Sequence, residues 1–249
     1  MKKLLCVLAL LMGGLSLWAQ VEHRVVKYSN GMKRYEGDFV NDYPVGEFRR
    51  YHENGRLSCL QVFDENRNST VEFYTGSGKL LAVGQYEGRK RTGEWKFYSE
   101  EEYLFMIEHY EDGLRVDETL VYMRDGKIIQ RVPYRDGKIN GERIHYYPYG
   151  NVLAKYTYKD GVLDGPYSYF YETGQPNEEG AYLNGKAHGV WRSYAEDGSF
   201  EEVEYIEGEP AHPESYNQAF QEKLDSYDVN PRIKDPQDYI NNPSDYFSL

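Results

Sequence analysis

Aromatic residues recur along this chain at a fixed interval. Tyr98, Tyr110, Tyr122, Tyr134, Tyr146, Tyr158, Phe170, Tyr182 and Tyr194 fall 12 residues apart. Gly93, Gly141, Gly165 and Gly189 mark a 24-residue period in which Asp117 takes the missing place. Looser copies come first, with Tyr28, Tyr51 and Tyr74 spaced by 23. Such a period belongs to repeat architectures, whose units bury apolar surface only against their neighbours. About eight units fit between Val25 and Gly208.

Each unit holds two short aromatic and β-branched runs closed by turn dipeptides, among them Asn30-Gly31, Asn54-Gly55, Asp136-Gly137, Asp160-Gly161 and Asn184-Gly185. Asn-Gly and Asp-Gly accept the positive φ of tight hairpin turns. Strands at this spacing form an antiparallel meander, and no helical period occurs before residue 212. The predicted fold is therefore all-β: an elongated single-layer antiparallel meander of about eight stacked 23–24-residue hairpins over residues 25–208. The composition agrees, because 26 tyrosines and 24 glycines leave few aliphatic residues for a thick core.

Side chains two apart in a strand share a face. Trp95 and Phe97 then lie on one face and Glu94, Lys96 and Tyr98 on the other, while Trp191 and Tyr194 point in opposite directions. Both faces carry aromatics. Most such rings form structural ladders between adjacent hairpins. Trp95, Tyr98, Tyr122, Tyr146, Phe170, Trp191 and Tyr194 are the candidates for contact with a ligand or partner.

At the N-terminus Lys2-Lys3, the apolar Leu4 to Leu17 and the sequence Leu17-Trp18-Ala19 read as a signal peptide over residues 1–19. The apolar stretch is shorter than the ~20 residues a spanning helix needs. Removing Lys2 and Lys3 takes the net charge from −12 to −14. That charge disfavours nucleic acid and anionic membrane, since both select clustered Lys and Arg. Cleavage would leave Cys59 alone, so no intrachain disulfide is expected. The six histidines are scattered and expected at the surface, with no spacing that would build a metal site. No nucleophile elbow or phosphate-binding loop occurs. A thin sheet offers little of the burial that raises the pKa of a catalytic acid. No catalytic residue, metal ligand or cofactor is expected, and the chain reads as a non-enzyme.

Residues 209–249 differ in character. Tyr216, Phe220, Leu224 and Tyr227 share a stripe of an amphipathic helix over about 213–227, behind Pro213. An acidic, extended tail follows, in which Tyr239, Tyr246 and Phe247 are candidate docking residues.

The segment Gly189-Val-Trp191-Arg-Ser-Tyr194-Ala-Glu-Asp-Gly198 resembles the MORN (membrane occupation and recognition nexus) repeat. It is closer to the bacterial variant, Gly-x-Trp-x-x-Tyr-x-x-x-Gly, of proteins labelled YwqK-type antitoxins. Gly93-Glu-Trp95-Lys-Phe-Tyr98 and Gly46-Glu-Phe48-Arg-Arg-Tyr51-His-Glu-Asn-Gly55 are further copies. Departures fall at Asp117, at Glu102 and in the connection from Phe63 to Thr70, so units two to four are expected to be distorted. The resemblance implies a scaffold of stacked hairpins. With the signal peptide, it sets the expectation of a non-enzymatic, protein-binding scaffold in the periplasm or on the outer side of a Gram-negative cell. The alternative is a sheet that binds glycans or extended ligands through exposed Tyr and Trp.

Overall fold

A computed structural model describes residues 20–212. The predicted signal segment, the predicted helix over about 213–227, and Tyr239, Tyr246 and Phe247 lie outside the described residues.

Among the described residues nineteen strands form one open sheet, a meander in which strands near in sequence pair antiparallel. The first six are β1 (Glu22–Lys27), β2 (Lys33–Val40), β3 (Tyr43–Tyr51), β4 (Leu57–Phe63), β5 (Ser69–Tyr74) and β6 (Leu80–Glu87). Next come β7 (Lys90–Tyr98), β8 (Leu104–Glu111), β9 (Leu114–Tyr122), β10 (Ile128–Arg135), β11 (Lys138–Ile139), β12 (Gly141–Tyr146) and β13 (Val152–Lys159). The last are β14 (Val162–Phe170), β15 (Pro176–Leu183), β16 (Lys186–Ala187), β17 (Gly189–Tyr194), β18 (Phe200–Ile206) and β19 (Glu209–Pro210). β11 and β12 act as one strand interrupted at Asn140, whose amide donates to the Pro133 carbonyl at 2.9 Å. His188 interrupts β16 and β17 in the same way through the Ala181 carbonyl. The predicted meander of hairpins is the observed fold.

Both long edges are stitched from unit to unit. On one edge the Asp-Gly and Asn-Gly turns reach back to the preceding turn: the Gly137, Gly161 and Gly185 amides donate to the carbonyls of Arg115, Ile139 and Leu163 at 2.9, 2.8 and 2.7 Å. On the other, tyrosine hydroxyls donate to carbonyls 23 residues ahead, Tyr147 to Phe170 at 2.8 Å and Tyr171 to Tyr194 at 2.7 Å. The anomalies at Asp117 and Glu102 are absorbed in the backbone, since both adopt the left-handed conformation, with φ of 57° and 66°. That conformation costs a non-glycine residue ~1–2 kcal/mol. Tyr171→Phe removes one stitch and leaves the ring in place. It is expected to lower stability by ~1 kcal/mol in a denaturant titration, without changing the β signal in circular dichroism.

Only one face of the sheet is a core. Its first cluster contains Cys59, Val71, Ala82, Trp95, Phe97, Phe105, Met106, Tyr110 and Val121. Its second is aromatic, built from Tyr167, Tyr182, Trp191 and Tyr205. A tryptophan on an unlayered sheet is buried by lying flat across its neighbours. Trp95 lies over Gly84, where an added Cβ would sit 2.2 Å from the indole. Tyr86 and Tyr110 meet its ring edge-on at 5.2 and 6.1 Å, and the Arg91 guanidinium covers it at 4.4 Å. Trp191 repeats the arrangement over Gly180, with Tyr182 and Tyr205 edge-on at 5.1 and 5.9 Å. Both indoles donate to a carbonyl ten residues earlier at 3.2 Å, Trp95 to Gln85 and Trp191 to Ala181.

Between the clusters the same face turns polar. Glu108, Arg115, Thr119, Gln130 and Arg143 are all buried there. The Tyr110 hydroxyl donates to Glu108 Oε2 at 2.6 Å, and Arg115 Nη1 donates to the Tyr134 hydroxyl at 2.7 Å. The Gln130 carbonyl oxygen accepts from Arg143 Nε at 2.7 Å. His145, expected at the surface, stands directly opposite Gln130 with its ring 5.5 Å from that of Tyr156. Burial, reinforced by the Arg143 charge, lowers its pKa to about 3.

A histidine that is neutral when folded and titrates near 6.5 when unfolded favours the unfolded chain as pH falls between those values. Stability is therefore expected to drop from about pH 6.5 toward pH 3, by up to ~1.4 kcal/mol per pH unit from this residue. His145→Phe should flatten that part of the pH–stability curve. An unchanged slope would place the ring in water.

Candidate partner-binding face

Because the core occupies one face, the other is the broad surface left to solvent. Its middle row can be followed across the sheet from the strand register. Arg49 stands opposite Leu60, Leu60 opposite Glu72, Glu72 opposite Val83, and Val83 opposite Lys96. Lys96 is opposite Ile107, Ile107 opposite Leu120, Leu120 opposite Arg131, and Arg131 opposite Ile144. The row continues through Lys155, Ser168, Glu179, Arg192 and Glu202.

The middle of this face is distinct. Ile107, Leu120 and Ile144 are half-buried, and Tyr98, Tyr122 and Tyr146 flank them at 24-residue spacing, each also half-buried. Burial and the Glu94 carboxylate hold the Tyr122 phenol above its ordinary pKa, so it presents a hydroxyl at all physiological pH values. Ion pairs flank and divide the patch: Lys96–Glu94 at 2.9 Å and Lys155–Glu142 at 3.3 Å at its two ends, and Arg131–Glu118 at 3.1 Å between Leu120 and Ile144. Such exposed pairs contribute little to stability, in the range of ~0–1 kcal/mol each. They interleave charge with the apolar and aromatic residues, Arg131 standing between Leu120 and Ile144.

The candidate aromatics therefore divide between the two faces. Tyr98, Tyr122 and Tyr146 gather around the outer patch. Tyr194 lies on the same face near the last strands, donating to Glu179 at 2.9 Å, and Phe170 is half-buried at the end of β14. Trp95 and Trp191 are 0% and 4% exposed, so they belong to the core and are withdrawn from the contact set. The alternative of glycan or extended-ligand binding through exposed Tyr and Trp loses its two tryptophans and keeps its tyrosines. The missed contributors are Ile107, Leu120 and Ile144, whose signal was their place between the aromatic rungs on the outward side of alternation.

Cys59 is buried in the first cluster, and burial pushes its thiol pKa up, which makes it unreactive. Among the described residues no three His, Cys, Asp or Glu side chains gather as metal ligands, and no helix is long and apolar enough to cross a membrane.

Two consecutive units match the MORN repeat variant. The matched residues are 139–160 and 163–184. They fall on β11 to β13 and on β14 to β15, where the turn stitches and the edge tyrosines are most regular. MORN repeats are generally associated with protein or membrane interaction. No curated protein matches this chain.

Proposed function

We propose that this chain is an exported, non-enzymatic scaffold of the bacterial MORN-variant kind that binds another protein in the cell envelope through the outer face of its sheet. The observation that carries the reading is the outward set of Ile107, Leu120 and Ile144 with Tyr98, Tyr122 and Tyr146, each half-buried on the face left to solvent and interleaved with ion pairs. A net charge of −12 favours a protein partner over an anionic lipid surface. The charged and then apolar sequence from Lys2 to Leu17 supports export.

The test is crosslinking and co-purification from the native cell envelope, comparing the wild-type chain with Leu120→Glu. Leu120 points outward on the face left to solvent, where a carboxylate can reach water, so the variant should fold normally. Charging the centre of a desolvated patch is expected to weaken a protein complex by ~2 kcal/mol or more, about thirtyfold. A partner recovered with the wild type and lost with the variant supports the proposal. Recovery of the same proteins by both chains would overturn it, as would co-sedimentation of the wild-type chain with anionic vesicles.

A further inference from the structure

The middle row of the outer face complements itself when reversed. Val25 stands opposite Glu36, and Glu36 opposite Arg49, so the row runs from Val25 on β1 to Glu202 on β18. As many of its residues precede Ile107 as follow Leu120, which places the midpoint between β8 and β9. Outward from that midpoint, Val83 matches Ile144 and apolar meets apolar. Farther out the matches join opposite charges: Glu72 with Lys155, Arg49 with Glu179, and Glu36 with Arg192.

A surface that complements itself under a half-turn is what an isologous dimer requires. The half-turn axis lies parallel to the strands, between β8 and β9, with two copies face to face. It sets Ile107 of one copy over Leu120 of the other, and Glu72 of one over Lys155 of the other. The Tyr98–Leu104 and Tyr122–Ile128 rungs beside the row exchange places in the same operation and widen the apolar centre. One match joins like charges, Lys96 with Arg131. Each of these is neutralised within its own chain, by Glu94 at 2.9 Å and by Glu118 at 3.1 Å. The end matches, Leu60 with Ser168 and Val25 with Glu202, carry no charge pairing.

The central eight strands, at ~4.8 Å spacing with about 20 Å of outward surface along each, offer on the order of 800 Å² per copy, which is the size of a standard interface. We infer, on the reading of this face as the binding surface, that its partner is a second copy of the chain in a two-fold, face-to-face dimer.

Sedimentation velocity of the purified chain over about 1–100 μM tests this. The wild type is expected to pass from monomer to dimer as concentration rises, and Leu120→Glu, beside the axis, to weaken the dimer about thirtyfold. Glu72→Lys and Lys155→Glu each set like charges together at two places in the dimer, and each should weaken it about tenfold or more. Both changes in one chain restore opposite charges and should return the affinity to within about threefold of the wild type. Within a monomer β5 and β13 are ~34 Å apart, so this restoration cannot arise from a contact inside one chain. Arg49→Glu with Glu179→Arg is a second swap of the same kind, should a single reversal fail to fold. A wild type that stays monomeric throughout would overturn the inference, as would a dimer indifferent to the single reversals or not restored by the swap. A monomeric wild type that still loses an envelope protein on Leu120→Glu would remove the self-pairing alone and leave the outer face as the binding surface.

Discussion

Gly84→Ala is expected to destabilise the chain by ~3 kcal/mol or more, a severe effect for the addition of one methyl group. The glycine has an ordinary strand conformation, so backbone freedom is not the reason. The reason is space: the new Cβ would sit 2.2 Å from two atoms of the Trp95 indole, which is fully buried and held by Tyr86, Tyr110 and Arg91. Neither partner has room to move. Trp95→Ala is expected to cost a similar ~3–5 kcal/mol by leaving a cavity. The informative measurement is the double-mutant cycle. With the indole removed, the methyl group added at Gly84 enters empty space, so the second substitution should cost less than ~1 kcal/mol and the pair should be strongly non-additive. In thermal unfolding each kcal/mol corresponds to roughly 2–4 °C for a chain of this size. Gly180 and Trp191 should behave alike, because an added Cβ at Gly180 also falls 2.2 Å from the indole. Additive effects would mean that the ring does not lie on the glycine.

The second large effect is expected in the polar seam. Arg115→Ala should destabilise by ~3–5 kcal/mol, because it removes a cation from beside the buried Glu108 carboxylate. Arg115 and Glu108 side chains are 5% and 1% exposed, with Nη1 and Oε1 3.7 Å apart. The guanidinium also lies 4.1 Å over the Tyr134 ring, so the truncation loses packing as well. Replacing both members, Glu108→Leu with Arg115→Met, should restore much of the loss, since an apolar pair needs no desolvation of charge. Burial also makes the effect nearly independent of salt, unlike the exposed pairs of the outer face. Single substitutions that cost under ~1 kcal/mol would place this pair in water. The seam divides the two hydrophobic clusters, and in a quasi-one-dimensional array such a junction sets how far unfolding spreads from either end.

Much of this architecture was legible in the sequence because both of its determinants are local. The Asn-Gly and Asp-Gly pairs fix the turns, and the 12-residue aromatic spacing fixes strand length and register. Alternation also placed Trp95 and Phe97 correctly against Glu94, Lys96 and Tyr98. What alternation could not decide was which face becomes the core, since both carry rings at the same period. That choice depends on glycines one strand away. Gly37 precedes Phe48 by 11 residues, Gly84 precedes Trp95 by 11 and Gly180 precedes Trp191 by 11, and each glycine vacates the space its aromatic covers. Where the large ring is absent the glycine is absent too: Glu108 and Thr119 occupy the paired positions, and then Val132 and Arg143. The exchange of a ring on glycine for two mid-sized or polar side chains is what makes the seam. It was visible in the sequence only to a comparison across strands. His145 was misplaced for the same reason, because its burial depends on Gln130 and Tyr156 in neighbouring strands.

The division of the sheet into one dry face and one wet face is tested most directly by hydroxyl-radical footprinting of the folded chain, read by mass spectrometry. Trp95, Met106 and Trp191 should be oxidised slowly despite their high intrinsic reactivity, while Tyr149 (80% exposed) and Met32 (49% exposed) should react quickly. Oxidation of Trp95 and Trp191 at the rate of Tyr149 would contradict the assignment of faces and return the tryptophans to the surface.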